Sequence, residues 1–130
     1  MPLREGKMHC ADCHNPHGGP GPSQLKRATV NETCYLCHQE KRGPFLWEHA
    51  PVRENCSNCH DPHGSTFDHL LKRKPPFLCQ GCHMDAFHPS GVYDRNELRS
   101  RSQNLVGKSC LNCHSQIHGS NHPSGPRLQR

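Results

Sequence analysis

The stretch Cys10-Ala11-Asp12-Cys13-His14-Asn15-Pro16-His17-Gly18 decides the fold, and it returns almost unchanged as Cys56-Ser57-Asn58-Cys59-His60-Asp61-Pro62-His63-Gly64. Its first five residues, Cys-x-x-Cys-His, occur five times. The other copies are Cys34/Cys37/His38, Cys79/Cys82/His83 and Cys110/Cys113/His114, and together the five use all ten cysteines. Cys-x-x-Cys-His is the attachment pattern of a c-type haem. The two thiols add to the haem vinyl groups, and the two-residue gap sets both sulfurs over one porphyrin edge. The histidine that follows then lies under the iron as its proximal ligand. The spacing therefore predicts five covalently attached haem c groups, with thioether links at all ten cysteines. The proximal ligands are His14, His38, His60, His83 and His114.

Histidine makes up 13 of 130 residues. A His after all five pairs by chance is on the order of one in 100,000 from composition alone. Zinc would take the Cys-x-x-Cys pairs in twos, leave one pair over and give no reason for the following His. A disulfide framework explains ten cysteines but again not the five histidines.

Composition points the same way. Hydrophobic residues are 31% and aromatic residues 5%, Gly and Pro number 11 and 12, and the mean hydropathy is -0.94. Such a chain cannot bury enough apolar surface to offset its conformational entropy. Five porphyrins supply the missing core, and the polypeptide is a wrapping. The expected fold is mostly irregular, with short α-helices around a row of five haems and negligible β structure. The formal charge of +5 is offset by haem propionates, which leave the oxidised holoprotein close to neutral; nucleic acid is not an expected partner. The basic runs Lys41-Arg42 and Lys72-Arg73-Lys74 are expected beside propionates or in solvent. No stretch is long and apolar enough to span a bilayer. Met1-Pro2-Leu3-Arg4-Glu5 lacks the apolar segment of a signal peptide. Covalent haem attachment takes place outside the cytoplasm in bacteria and archaea, so an exported protein is expected, in the periplasm or outer membrane or outside the cell.

The chain repeats at about 46 residues. Leu25-Lys26-Arg27 falls on Leu71-Lys72-Arg73, and Cys34 on Cys79. Two-haem modules cover about 9–54 and 55–92, and a half-module covers about 93–130, all within one pentahaem domain. In the half-module, His114-Ser115-Gln116-Ile117-His118-Gly119 echoes His-x-Pro-His-Gly with one residue inserted. A short helix is expected near 95–105, with Asp94 as N-cap and Glu97 and Arg101 one turn apart. Another is expected from Ser65 to about Arg73.

Eight histidines remain after the proximal five. The repeat places His17, His63 and His118 in equivalent positions, and His49 and His88 each follow the second motif of a module. These five match five irons as distal ligands. His122 is the rival of His118, and His9 and His69 read as surface residues. Reach restricts the pairing. Three extended residues cover at most about 10–11 Å, short of the roughly 12–13 Å between Cα atoms on opposite faces of one porphyrin. So His17 cannot serve the haem on His14, nor His63 the haem on His60. His118 lies four residues from His114 and is barely within reach of that haem, but Gly119 suggests a turn like those at Gly18 and Gly64, so it too is expected to act on another haem.

The His-x-Pro-His-Gly repeats, the run Arg42-Gly43-Pro44-Phe45-Leu46-Trp47-Glu48-His49-Ala50-Pro51-Val52 and the tail from Cys110 to Gly125 resemble the MtrA-type (DmsE-type) decahaem cytochromes over nearly the whole chain. The outline is also similar to the NrfB-type pentahaem cytochromes. The resemblance implies bis-histidine haems in an electron conduit of the periplasm or outer membrane, often inserted in a β-barrel porin. This chain has five motifs where the family has ten, and it corresponds to the C-terminal half.

Electron transfer along closely spaced bis-histidine haems is the expected function, within extracellular electron transfer, and no catalytic residues are expected. Met ligation would raise haem potential, but Met8 and Met84 occupy no repeat-equivalent ligand position. A multihaem nitrite or hydroxylamine reductase would need a haem with an open distal face, against the full supply of distal histidines. A polymeric cytochrome filament would need a ligand from the next subunit; the spare His9, His69 and His122 permit it without arguing for it. Expected partners are other redox proteins (cytochromes, quinol-linked donors, a terminal reductase), a β-barrel porin, or further copies of the chain.

Overall fold

Each Cys-x-x-Cys-His segment folds into one helical turn closed by its own histidine. In the computed structural model, which describes residues 2–83 and 109–129, the histidine amide donates to the carbonyl of the first cysteine in all five copies. The distances are 2.9 Å for His14 to Cys10, His38 to Cys34, His83 to Cys79 and His114 to Cys110, and 3.1 Å for His60 to Cys56. Positions three and four apart on a helical turn share a face. The turn thus brings both sulfurs and the imidazole to one side, as the spacing requires.

These turns are anchored by local caps. Helix α1 (Cys10–Cys13) has the Asp12 carboxylate accepting from the His9 amide at 2.7 Å. Helix α2 (Val30–Cys34) begins at Thr29, whose hydroxyl accepts from the Glu32 amide at 3.1 Å. Asn55 and Ser109 cap the 3-10 turns Cys56–Asn58 and Cys110–Asn112. Short polar side chains at these positions satisfy amides that a short helix leaves unpaired. Helix α3 (Ala50–Glu54) follows His49, and α4 (Phe77–Gln80) carries Cys79.

After the first and third motifs the chain makes the same loop. His14 bridges Leu25 and His60 bridges Leu71 in isolated antiparallel pairs. Asn15 N–H donates to the Gln24 carbonyl and Lys26 N–H to that of Cys13, both at 2.9 Å. Asp61 to Leu70 and Lys72 to Cys59 repeat the pattern at 2.7 and 2.8 Å. The fold thus differs from the expected helix between Ser65 and Arg73. Only a 3-10 turn forms at Asp68–Leu70, with His69 left-handed (φ 57) inside it, and Leu70 is left-handed too (φ 56). Ser65 Oγ donates to the Leu71 carbonyl and accepts from the Phe67 amide, so it stabilises the loop and caps no helix. The helix expected near 95–105 lies outside the described residues.

The described residues contain α-helices of four or five residues, 3-10 turns and three isolated bridges, with no strand. This is the irregular, short-helix fold expected. Among them Leu128 alone is a buried apolar side chain. The accessible surface is 9923 Å², where a compact monomer of this mass would expose about 6,900 Å². Among the described residues the polypeptide alone forms no hydrophobic core.

Two sets of polar contacts join segments distant in the chain. Asn31, 7% exposed, donates to the carbonyls of Val52 and Arg53 and accepts from the Cys56 amide at 2.6 Å, tying α2 to α3 and the third motif. The tail is clipped to residues 45–47. Trp47 and Ser120 exchange backbone hydrogen bonds at 2.9 Å each, and Trp47 Nε1 donates to the His122 carbonyl at 3.1 Å.

Candidate haem centre

The first signal of a metal centre is the orientation of the proximal rings. His14 Nδ1 lies 2.8 Å from the Ser23 carbonyl, His60 Nδ1 2.8 Å from that of His69 and His114 Nδ1 2.6 Å from that of Arg127. A carbonyl only accepts, so each Nδ1 carries the proton and each Nε2 keeps its lone pair. Holding a ligating imidazole by its other nitrogen is how proteins fix the tautomer and ring plane at a metal. The left-handed residues serve this purpose: Ser23 (φ 51) and His69 (φ 57) turn their carbonyls back to the motif. Leu128 (φ 54) follows Arg127 in the third loop.

The second signal is pairing across the repeat. The ring centres of His14 and His63 lie 6.0 Å apart with planes 20° from parallel. His49 and His83 lie 6.0 Å apart at 24°, and His60 and His118 6.1 Å apart at 14°. Two imidazoles bound on opposite sides of one metal, each through a bond of about 2.0–2.1 Å, have ring centres about 6.3 Å apart. In every pair one ring belongs to a Cys-x-x-Cys-His motif and the other follows a different motif. The donor set therefore fits bis-histidine iron.

Electrostatics suit this role. Burial, then the neighbouring His83, holds the pKa of His49 below the ordinary imidazole value. Burial, then Lys41 and His60, does the same for His118. Both rings are thus kept neutral, the form that binds a metal. The Nδ1 of His49 is buried, and a hydrogen bond with the Ile117 backbone works against burial by raising the pKa of this ring.

The sulfurs mark the order of the sites. Burial raises the Cys13 thiol, with Cys34 next among the causes. A hydrogen bond with Cys56 raises Cys34 further. Burial raises Cys59 beside Cys82, and raises Cys79 to about 11 beside Cys110. Consecutive motifs are therefore neighbours in space, and the ten cysteines form no disulfides.

The ten positions expected as thioether sites are not alike in their surroundings. Cys13, Cys34, Cys56, Cys59, Cys79 and Cys110 are half-buried, whereas Cys10, Cys37, Cys82 and Cys113 are exposed. Cys37 and Cys113 close the helical turns of the second and fifth motifs, their amides donating to the Cys34 and Cys110 carbonyls at 3.2 Å each. The polypeptide thus fixes the backbone of Cys37 and Cys113 but does not cover their sulfurs. For these two, haem attachment is read from motif spacing and not from any packing of the thiol. The first sulfurs of the same motifs, Cys34 and Cys110, lie instead against Cys56 and Cys79 of a neighbouring motif. The difference follows from the placement of neighbouring motifs: in the third motif both sulfurs are half-buried, Cys56 against Cys34 and Cys59 beside Cys82.

Of the histidines singled out in the sequence, His14, His49, His60, His63, His83 and His118 come together as pairs. His17 and His38 face no other ring at such a spacing among the described residues, and both are exposed. The His38 Nδ1 lies 3.5 Å from the Glu40 carboxylate. His88 lies outside the described residues. His122 accepts from the Ser124 amide through Nδ1, so at His60 the ring is that of His118, not its rival. Sequence reasoning missed the carbonyls of Ser23, His69 and Arg127, because a backbone acceptor has no side-chain signature. Among the described residues no group of three or more His, Cys, Asp or Glu is gathered to hold a free metal ion. Among them also, no helix is long and apolar enough to cross a membrane.

A family model described as a doubled CXXCH motif matches residues 1–43 and 49–88, more than half of the chain. Over 133 residues the chain is 58% identical to the multiheme cytochrome MtrA of Shewanella baltica (strain OS185). That alignment takes in 99% of this chain and 40% of the relative, so the chain spans less than half the length of the curated relative it matches.

Proposed function

The chain belongs to the doubled-CXXCH family, a c-type cytochrome family of electron-transfer proteins rather than enzymes, and from that premise we propose that it carries five bis-histidine haems in one row and passes electrons along it. The observation that carries the reading is the set of three ring pairs at 6.0–6.1 Å, each linking a motif to a histidine outside it. Haem iron supplies a one-electron ferric/ferrous couple whose potential depends on its axial ligands and surroundings. The protein's own part is to fix the ligands. The half-buried cysteines of successive motifs, neighbours from Cys13 to Cys110, hold the row in sequence order. The carbonyls of Ser23, His69 and Arg127 orient three proximal rings. His63, His49 and His118 close the opposite faces, leaving those sites no room for a substrate.

Attachment through cysteine sulfur assigns the chain to an exported location, in the periplasm or at the outer membrane. Its partners are then other redox proteins at the two ends of the row, with a β-barrel porin as the further partner that crossing the outer membrane would require.

Intact mass spectrometry of the purified protein tests the cofactor count. The expected mass exceeds the 14.7 kDa chain by five haems, with no thiol left to alkylate. The exposed positions, Cys37 and Cys113 among them, are the most telling, because a free thiol there would be open to the reagent. Reactive thiols together with bound zinc would overturn the reading. Low-temperature EPR of the oxidised protein should then give low-spin ferric signals from the irons on His14, His60 and His83.

A further inference from the structure

The tail meets residues 45–47 at a place that bears on two irons. Trp47 and Ser120 form an antiparallel bridge and exchange both backbone hydrogen bonds at 2.9 Å. Residues that exchange both bonds stand directly opposite each other, and their register carries on to the residues on either side. One residue back, Leu46 N–H donates to Asn121 Oδ1 at 2.7 Å. Two residues on, the same register sets His49 opposite His118. His49 faces His83, and His118 faces His60. One bridge therefore carries, on its two sides, the distal ligands of two different irons.

The two rings also meet each other's surroundings. The Ile117 backbone, next to His118, hydrogen-bonds the His49 ring, and His49 is among the charges that act on His118. The Trp47 side chain locks the register. It is half-buried, and its Nε1 donates to the His122 carbonyl at 3.1 Å. The His122 amide donates in turn to Ser120 Oγ at 3.0 Å, and Ser120 is only 5% exposed. The Phe45 ring occupies the place where a Cβ on Gly119 would stand. A slip of one residue would break the exchanged pair and turn His118 to the opposite side. His60 and His83 belong to consecutive motifs, with Cys59 beside Cys82. The third pair, His14 with His63, takes neither ring from these two segments.

We propose that Trp47 is a positioning residue for both distal ligands, so that the irons on His60 and His83 keep or lose their sixth ligands together. This rests on the bis-histidine reading above. It makes two adjoining irons of the row one unit, closed by a single indole that touches neither of them, and leaves the iron on His14 independent.

The test counts the haems of the reduced holoprotein that bind carbon monoxide, relative to the unmutated protein, with high-spin ferric EPR of the oxidised form beside it. His49→Ala and His118→Ala should add one such haem each, because Trp47 still holds the other ligand. Trp47→Ala should add two. The same two should be found in Trp47→Ala/His49→Ala and in Trp47→Ala/His118→Ala, whereas Trp47→Ala/His63→Ala should give three; this non-additivity identifies the irons. Trp47→Phe keeps the ring and loses the N–H. It should open both irons to a smaller and equal extent, raising carbon monoxide uptake by the same amount in the His49→Ala and His118→Ala backgrounds. Trp47→Ala that adds no haem, or one alone, overturns the proposal. So does one that opens the His14 iron as well, since that is a general loss of structure. Should Trp47→Ala fail to accumulate with its haems, Trp47→Phe decides: equal opening supports the proposal, and opening of neither iron or of one alone overturns it. If His49→Ala and His118→Ala themselves add no carbon-monoxide-binding haem, the bis-histidine reading fails, and the proposal with it.

Discussion

In residues 13–27 the His14 ring is tied to the Ser23 carbonyl and His17 stands on a glycine turn, exposed and facing no other ring among the described residues. In residues 59–73 the His60 ring is tied to the His69 carbonyl at the same 2.8 Å, and His63 stands on the same turn but lies 6.0 Å from His14. The two loops share their bridges, left-handed residues and backbone hydrogen bonds. The proximal half of each site is therefore local. It is fixed by one helical turn in all five motifs, and by a returning carbonyl in the first, third and fifth. The distal half is tertiary, and depends on which repeat lies alongside. The second loop gives one imidazole and receives His118, so it is the joint between both neighbours.

The severest way to break this comparison is to remove the haem of each loop in turn. Cys56→Ala/Cys59→Ala leaves His118 and the tail with no iron to bind and unmoors the loop that carries His63. The loss of stability should exceed about 4 kcal/mol, the range reached when a metal site is lost. Cys10→Ala/Cys13→Ala frees His63 alone and should retain the His60 site. Protease resistance and the residual low-spin signal of the two holoproteins measure this; equal sensitivity would contradict the asymmetry.

A smaller effect separates the glycine turns. Gly119 has φ 135 and the Phe45 ring where a Cβ would stand, while Gly18 has φ 106 and nothing within 4 Å of that place. Gly18→Ala should meet only backbone strain of order 1–3 kcal/mol. Gly119→Ala adds overpacking of about 1–3 kcal/mol and displaces His118 from His60. Thermal melts of the two holoproteins should differ by that added amount, and the His60 iron should change spectrum only in Gly119→Ala.

Much of this was legible in the residues alone. The five motifs stand in the spacing of ten cysteines and five histidines. The extended-chain limit already sent His63 away from His60, and the glycine after His118 marked a turn like the others. Spacing could not tell which sulfur of a motif the polypeptide covers; Cys34 and Cys110 are half-buried while Cys37 and Cys113 are exposed, a distinction set by tertiary placement of the neighbouring motif. Backbone conformation without a side-chain signal stayed hidden too. Ser23, His69 and Leu70 are left-handed although none is glycine, so Ser65 to Arg73 read as a helix. Asn31 lies within helix α2, a place where asparagine is not favoured, and nothing nearby announces that its amide ties three backbone groups together.

Acid titration should sharpen the contrast between buried and exposed distal rings. Burial lowers the pKa of His49 and His118, so their protonation favours the released, unfolded form. Their contribution to stability is whole above the ordinary imidazole value of about 6.5 and is lost as the pH falls below it. The low-spin signals of the His83 and His60 irons should therefore hold at neutral pH and give way to high-spin ferric haem only on acidification beneath that value. A distal ligand released as the pH rises through neutrality would reverse the sign and exclude a neutral buried imidazole.

The smallest effect is expected at His69, and its smallness is the point. At His69 the carbonyl, not the ring, serves the centre: that oxygen accepts a hydrogen bond from His60 Nδ1 at 2.8 Å, and the residue is exposed. The first loop performs the same task with Ser23, which has no ring at all. His69→Ala keeps the carbonyl and adds nothing the loop must accommodate, so the expected change is within about 0.5 kcal/mol. All haem signals should stay as they were. If His69→Ala instead produced a high-spin haem, its imidazole would be a ligand. The equivalence of the two loops would then fail, because Ser23 could not perform that role.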